Sequence, residues 1–128
     1  MKGLIRQIDI KRLRPHERTE PGRLKKLVCA LRAPHARIRP IIVDRGSYTI
    51  LDGHHRYQAF VRLGIPKISC LLVDYFDKDI SVTFRRADVK NRLTKEIIIN
   101  TVKKGKLFPY KTTKHRLPFR PAVRMKIL

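Results

Sequence analysis

Residues 48–60, with the sequence YTILDGHHRYQAF, change within a few positions from the pattern of a strand to the pattern of a helix. The apolar run ends at Asp52, and Gly53 follows, which permits a tight turn because it has no Cβ that would clash at positive φ. Beyond it the apolar residues are spaced as on one face of a helix, and Gly64 is placed to end that helix. We therefore predict a strand, a sharp glycine turn and a helix in immediate succession.

A helix start that follows a strand in this way is a candidate phosphate-binding site. Its first N–H groups and the helix dipole attract anions. His54, His55 and Arg56 add side-chain donors, and Arg56 can grip a phosphate through two bonds. A carboxylate such as Asp52 does not bind phosphate directly, so its place here makes sense if Mg²⁺ bridges the two. The alternative is that Asp52 simply caps the helix and that the histidines are surface residues.

The rest of the chain predicts an α/β (α+β) fold, in which a small mixed sheet carries flanking helices. Strand patterns occur at Leu4–Ile10, Pro40–Val43, Tyr48–Leu51 and Ile68–Val73, with a possible strand at Ile80–Phe84. The run at 68–73 is apolar almost throughout, which predicts a central strand. One helix is predicted from Arg23, and another is expected to be capped by Thr94 and closed by Gly105. A single domain over residues 1–128 is the economical interpretation.

The composition narrows the classes of protein to which the chain can belong. Lys and Arg number 31 against 10 Asp and Glu, a formal net charge of +21, which favours partners that carry phosphate, either nucleotides or nucleic acid. The apolar runs are too short to cross a bilayer and no secretory signal is visible, so we expect a cytoplasmic protein with no membrane partner. Cys29 and Cys70 form neither a disulfide framework nor a zinc site, and both are expected to be buried.

The segment Gly53-His54-His55-Arg56-Tyr57-x-Ala59 resembles the phosphate-binding motif of the ParB/sulfiredoxin superfamily, and residues from about 4 to 75 fit the order of elements in that fold. Sulfiredoxins carry a catalytic cysteine where this chain has His54, which argues against a reductase. ParB partition proteins bind CTP through a related arginine motif and continue into a helix-turn-helix domain, for which only a short tail remains here. The fold therefore leaves several chemistries to be distinguished.

Two further segments resemble motifs of the archaeal free L-serine kinases within this superfamily. They are Arg14-Pro15-His16-Glu17 and residues 111–119, KTTKHRLPF. These kinases transfer a phosphoryl group from ADP or ATP to L-serine and form O-phospho-L-serine. The three matching segments lie far apart in the sequence, so chance is a poor explanation for all of them together. The resemblance implies that residues from about 94 to 121 form a short C-terminal substrate-binding extension.

The same resemblance implies a role for each group in phosphoryl transfer. Glu17 would accept the proton of the serine hydroxyl, and Asp52 would hold Mg²⁺ against the phosphates of the nucleotide. Those phosphates would be bound at the turn by Gly53, His54, His55 and Arg56. The carboxylate and ammonium of L-serine would be bound near the C-terminus by Lys111, Thr112, Thr113, Lys114 and His115.

Other interpretations of these residues stay open. Glu17 could be an exposed turn carboxylate paired with Arg14 or Arg18, and residues 111–115 could be a basic surface loop. The fold could also bind nucleic acid nonspecifically, with a backbone phosphate in the turn. Aromatic residues make up only 7% of the chain, which favours a duplex clamp over a single-strand reader. A nuclease is a weaker interpretation, because no second carboxylate pair completes a cutting site beside Asp52.

Overall fold

The computed structural model describes residues 4–84, 91–108, 113–117, 120–121 and 123–127, and it is built on a mixed β-sheet. The strands are β1 Leu4–Asp9, β2 Arg37–Ile38, β3 Ile41–Asp44, β4 Ile50–Asp52, β5 Lys67–Val73, β6 Ser81–Phe84, β7 Thr113–Arg116 and β8 Met125–Lys126. The helices are α1 Pro21–Leu31, α2 His54–Leu63 and α3 Asn91–Lys103, and a 3-10 turn covers Ile10–Arg12.

The central sheet has the strand order β1-β5-β3-β4. Strand β5 pairs antiparallel with β1 and parallel with β3, and β4 forms an antiparallel hairpin with β3. From Ile68 to Leu71 every residue of β5 is buried. Because the side chains of a strand alternate between its two faces, this run requires cover on both faces. The predictions of a mixed sheet and of a central strand at 68–73 are therefore confirmed.

Helices α1 and α2 pack against each other. Leu24 and Val28 of α1 meet Ala59 of α2 in a buried cluster, as expected from the i, i+4 spacing of the two α1 residues. Phe60 of α2 belongs to the main core cluster together with Ile41 of β3, so α2 is packed against the sheet. No helix within the described part of the chain is both long and apolar enough to span a membrane.

The second half of the chain folds back onto the first. Strand β7 pairs antiparallel with β6, so that His115 lies opposite Val82, and β8 pairs with β2. A second core cluster joins Leu71 of the central sheet to Ile80 and Ile98. The possible strand at Ile80–Phe84 is thus present as β6. It pairs with β7, which follows it by about thirty positions in the sequence.

Two local expectations are wrong for identifiable reasons. Helix α3 begins at Asn91, so Thr94 lies inside it instead of capping it; residues 91–93 include no glycine or proline that would stop the helix from starting earlier. Cys29 is exposed, because it follows the buried Val28 by one position and is rotated by about 100° from the buried face.

Candidate functional site

The turn between β4 and α2 has a geometry that glycine adopts without strain. Gly53 has φ 109° and ψ 28°, in the left-handed region. A Cβ at this position would lie 2.8 Å from the Cβ of Ile41 and 3.2 Å from Nη2 of Arg56, so the first of these contacts would force a shift. The predicted glycine turn is confirmed, and the backbone here passes close to β3.

The amino end of α2 offers a place for an anion. No side chain caps this end, and its first turn contains no acidic residue, so Asp52 does not act as the helix cap. The N–H of Tyr57 donates to the carbonyl of Gly53 at 2.9 Å. The N–H groups that precede Tyr57 lie at the positive end of the helix dipole, an arrangement that attracts phosphate.

The helix start opens into a cleft of about 710 Å³, here called the turn cleft. The predicted site residues in its wall are Glu17, Asp52, Gly53, His54, His55, Arg56, Thr113, Lys114 and His115. These residues come from three separate parts of the sequence, and the pairing of β7 with β6 carries the last three to the cleft. Lys111 and Thr112 lie outside the described residues.

Arg56 holds the turn together. Its Nη1 donates to the backbone carbonyls of Arg39 at 2.9 Å and Pro40 at 3.2 Å, and its Nη2 donates to Oδ2 of Asp52 at 3.2 Å. Burial lowers the pKa of Arg56, and the nearby Asp52 carboxylate opposes that shift. The guanidinium therefore ties the segment before β3 to the end of β4, in addition to any contact that it makes with a ligand.

The two histidines of the turn accept hydrogen bonds from the segment that precedes α1. Nε2 of His54 accepts from the N–H of His16 at 3.2 Å, and Nε2 of His55 accepts from the N–H of Glu20 at 3.0 Å. In these two bonds the accepting Nε2 carries no proton, which leaves Nδ1 as the possible donor of each ring. Burial lowers the pKa of His54 well below its ordinary value, and the neighbouring histidines add to this effect. The rings therefore position residues 16–20 beside the turn.

The Glu17 carboxylate is held by a chain of partly buried groups. Thr113 donates from Oγ1 to Oε2 of Glu17 at 3.1 Å, and Nε2 of His16 lies 3.0 Å from the same hydroxyl. Because threonine has one hydroxyl proton and the carboxylate accepts it, Nε2 of His16 is the donor in the second bond. Burial lowers the pKa of His16 to about 4, against a smaller opposing effect of the Ile50 backbone. His16 is therefore neutral at neutral pH.

Backbone hydrogen bonds fix the position of Glu17 along the chain. The N–H of Phe108 donates to the carbonyl of His16 at 2.7 Å, and the carbonyl of Phe108 accepts from the N–H of Arg18 at 2.8 Å. Together these bonds form a short parallel bridge between Glu17 and Phe108. The backbone is thus anchored on both sides of Glu17.

Alternation along β7 separates the remaining predicted residues. Thr113 and His115 are buried, whereas Lys114 is exposed. Nε2 of His115 lies 2.8 Å from the hydroxyl of Tyr75, and burial lowers the pKa of His115 well below its ordinary value. His115 is therefore a neutral residue bound to Tyr75, while Lys114 adds an exposed cation to the wall of the cleft.

Asp52 lies at the edge of the turn cleft between two arginines. Its Oδ2 accepts from Arg56 and, at 3.4 Å, from Nε of Arg120, and 32% of its side chain is exposed. Among the described residues, no group of three or more His, Cys, Asp and Glu side chains could hold a metal ion. A Mg²⁺ ion that binds together with a nucleotide does not require such a group, because it usually combines one or two carboxylates with phosphate oxygens and water. Asp52 fits that kind of site.

Four further cations line the turn cleft and are absent from the set predicted by sequence: Arg18, Arg23, Lys26 and Arg120. Arg23 and Lys26 are three positions apart on α1, a spacing that puts both on one helix face, so the helix pattern carried this signal. The sequence near Arg120 contains no signal of this kind, because the position of Arg120 depends on how the chain returns to the sheet between β7 and β8.

Comparison with known proteins identifies relatives for part of the chain. An ATP-dependent L-serine kinase from Staphylothermus marinus is 39% identical over 79 residues, which are 59% of this chain and 31% of that protein. A ParB-like protein from Sulfolobus acidocaldarius is 43% identical over 75 residues, 59% of this chain and 37% of that protein. The matched segment thus spans about a third of the length of these curated relatives.

Solved structures share the fold over nearly the whole chain. A free serine kinase in complex with AMP superposes with a TM-score of 0.78, covering 98% of this chain and 91% of that chain at 16% sequence identity. At this identity the likeness shows a common fold. The sequence profile of the ParB N-terminal domain matches residues 2–86. Because this match covers more than half of the sequence, the chain belongs to the ParB N-terminal domain family.

Proposed function

We propose that this protein is a free L-serine kinase, which transfers a phosphoryl group from ATP or ADP to the hydroxyl of L-serine and forms O-phospho-L-serine. The observation that carries the proposal is the shared wall of the turn cleft. Glu17, anchored by Thr113, lines the same cleft as the uncapped start of α2 and the Asp52 carboxylate. A proton acceptor, an anion site and a carboxylate for a cation are the parts that phosphoryl transfer requires.

The phosphates of the nucleotide would bind at the start of α2. Backbone N–H groups after Gly53 would contact the phosphate oxygens, and the Nδ1 donors of His54 and His55 could add to them. Exposed cations from other elements, Arg18 and Lys26 among them, line the same cleft and would neutralise the charge that the transferring group carries. Arg56 would contribute mainly by holding the turn in shape.

Asp52 would hold Mg²⁺ together with the nucleotide phosphates, and the ion would supply charge neutralisation on the donor. Binding of the ion to Asp52 would weaken the contact of Arg120 with Oδ2, because the two cations repel each other. The contact between Arg120 and Asp52, at 3.4 Å, joins two partly exposed groups, and such pairs are weak. Arg120 would then be free to contact phosphate in the same cleft.

Glu17 would act as the general base. Its carboxylate would accept the proton of the serine hydroxyl while the serine oxygen bonds to the terminal phosphorus and the bond from phosphorus to the leaving nucleotide oxygen breaks. A carboxylate has several lone pairs, so the bond from Thr113 orients Glu17 without using up its capacity to accept a proton. This arrangement supports Thr113 as a positioning residue in addition to its expected part in substrate binding.

L-Serine itself would be held by residues near β7. Lys114 is exposed in the cleft and can bind the carboxylate, and Lys111 and Thr112 remain proposed contacts. His115, bound to Tyr75, would shape this subsite. We propose residues 1–128 as one domain, with a core at about 4–75 and a substrate-binding extension at about 94–121. A free amino acid and a nucleotide as substrates favour the cytoplasm.

The direct test combines the purified chain with Mg²⁺, L-serine and either ATP or ADP, and follows phosphoserine by phosphorus NMR. We expect product with at least one donor. The Glu17→Gln variant should lose turnover but keep nucleotide affinity in calorimetric titrations, because Glu17 accepts the proton of the serine hydroxyl and does not contact the phosphates. A folded wild-type protein that yields no phosphoserine with either donor would refute the proposal.

A further inference from the structure

A second basic cleft lies away from the turn cleft. It has a volume of about 750 Å³ and lies between the 3-10 turn, the loop from β3 to β4, and α3. Its cations are Lys11, Arg12, Arg14, Arg45 and Lys103. We call it the hairpin cleft. It shares no lining residue with the turn cleft, because the β3–β4 loop precedes β4 and the glycine turn follows it.

The charge of the hairpin cleft is strongly positive. All five of its cations are exposed. Its two carboxylates are engaged by the protein, since Asp44 accepts from the N–H groups of Ser47 and Tyr75 and Asp74 accepts from the N–H of Phe76. The proposed kinase reaction takes place in the turn cleft and does not use these cations. A polyanion is the partner that would use them.

The cleft also contains a rigid planar group. The guanidinium of Arg12 lies 4.5 Å from the centre of the Tyr48 ring, and its Nη2 donates to the Tyr48 hydroxyl at 2.8 Å. The cation–π contact and the hydrogen bond together hold the guanidinium over the ring, although Arg12 is exposed. A flat cation held in this way can stack on a nucleic-acid base.

Tyr48 itself is held in a strained backbone conformation. Its φ is 59°, which is rare for a bulky side chain and persists only where the surroundings enforce it. Here the N–H of Tyr48 donates to the carbonyl of Asp44 at 2.8 Å, and its carbonyl accepts from the N–H of Arg14 at 2.9 Å. The position of the Arg12–Tyr48 pair is therefore fixed before any ligand binds.

We infer that the hairpin cleft binds single-stranded nucleic acid, independently of the proposed kinase activity. The backbone phosphates would contact Lys11, Arg14, Arg45 and Lys103, and a base would stack on the outer face of Arg12. Phe76, which is 39% exposed in the same cleft, provides a second surface for stacking. Alternating cations and flat groups are the pattern by which proteins bind single strands without sequence preference. A duplex keeps its bases stacked inside and could use only the cations.

Fluorescence anisotropy with labelled oligo(U), oligo(dT) and a duplex of equal length tests the inference. The Arg45→Ala/Lys103→Ala variant should bind both single strands about 10-fold more weakly, and its affinity should depend less steeply on salt because two phosphate contacts are lost. The matched control is Lys25→Ala/Arg62→Ala, which removes the same charge from exposed helix positions outside the turn cleft and the hairpin cleft. Equal losses in the two variants would overturn the inference, because they would show that only net charge matters.

A second variant tests stacking apart from charge. Tyr48→Asn suits a positive φ and removes the ring beneath Arg12, so single-strand affinity should fall about 5-fold while duplex affinity and the salt slope stay unchanged. Thermal unfolding of each variant verifies that the fold persists. Unchanged single-strand binding by Tyr48→Asn, or a wild-type preference for duplex, would overturn the assignment of a single strand to this cleft.

Discussion

The two sides of the turn cleft are built in different ways. On one side, β4, Gly53 and the start of α2 form a continuous stretch, which Arg56 and Ile41 hold in shape. On the other side, Glu17 is placed by contacts between segments that lie far apart in the sequence, through Thr113 and Phe108. Disruption of the first side should therefore destabilise the whole fold, whereas loss of the bond from Thr113 on the second side should misalign Glu17 while the fold survives. Four measurements test this contrast.

The largest effect is expected from Gly53→Ala. The new Cβ would collide with Ile41, and alanine disfavours the φ of 109° that this position requires. We therefore expect a loss of about 3 kcal/mol in the free energy of unfolding. Urea denaturation measures it. Gly64→Ala is the matched control, because Gly64 also has positive φ, 68°, but nothing within 4 Å of the added Cβ; it should lose only about 1 kcal/mol. Similar losses in both variants would mean that the contact with Ile41 is unimportant.

Acid should destabilise the fold through histidines with lowered pKa values on both sides of the cleft. The folded state holds the pKa of His16 at about 4 against 6.5 in the unfolded chain, so between these values the unfolded state binds more protons. Stability is therefore fully present above about pH 6.5 and is lost as the pH falls towards 4, by roughly 3 kcal/mol for His16 alone. The pKa values of His54 and His115 are lowered in the same direction.

Urea denaturation across this pH range measures the slope. The His16→Gln variant, which cannot titrate, should show a weaker dependence of the unfolding free energy on pH. A slope identical to that of the wild type would show that His16 does not remain neutral in the folded protein.

Loss of the bond to Glu17 should affect the reaction more than the fold. Thr113→Val removes the donor to the carboxylate, and we expect kcat for serine phosphorylation to fall about 10- to 100-fold with little change in nucleotide affinity. Thr113→Ser should restore most of the rate. Thr101→Val is the control, because that hydroxyl donates within α3 to the carbonyl of Ile97 and should leave kcat unchanged. A fall in nucleotide affinity with unchanged kcat would exclude the positioning role.

The smallest effect is expected from Arg120→Ala. Its pair with Asp52 is partly exposed, so the free energy of unfolding should change by less than about 0.5 kcal/mol. Nucleotide affinity should fall about 3- to 5-fold, because one cation leaves the cleft wall. Titration calorimetry measures this, with Arg116→Ala as a control, since Arg116 is exposed on β7 outside the turn cleft. An equal effect from both substitutions would indicate a general loss of charge.

The same contrast explains what the sequence could predict. The glycine turn, the helix after it and the central strand depend on local spacing and on residues such as Gly53 and Gly64, so a reading of the sequence alone located them. The structure around Glu17 was expected only from a resemblance of motifs, and its partners Thr113 and His16 were not linked to each other. Their contact is made by side-chain hydrogen bonds between residues almost a hundred positions apart, and periodicity carries no signal for such contacts.

Charge was predictable in amount but not in distribution. The excess of Lys and Arg is evident from the composition, yet which of these cations line the turn cleft and the hairpin cleft depends on the path of loops and on how α1 and α3 pack. Likewise, the buried state of His16 could not be foreseen from a polar stretch between Arg14 and Glu17, because it results from the later strand β7 covering this segment.

The pairing of β8 with β2 has a consequence for ligand binding. The stretch that carries Arg120 is anchored at Arg116 by one pair of strands and at Met125 by another, so this arginine stays near the proposed nucleotide site even if its contact with Asp52 is lost. A substitution at Ile38, which lies opposite Met125, would therefore affect the position of Arg120. We expect it to loosen the C-terminal segment and to weaken phosphate binding at the proposed site without altering Glu17 or Asp52.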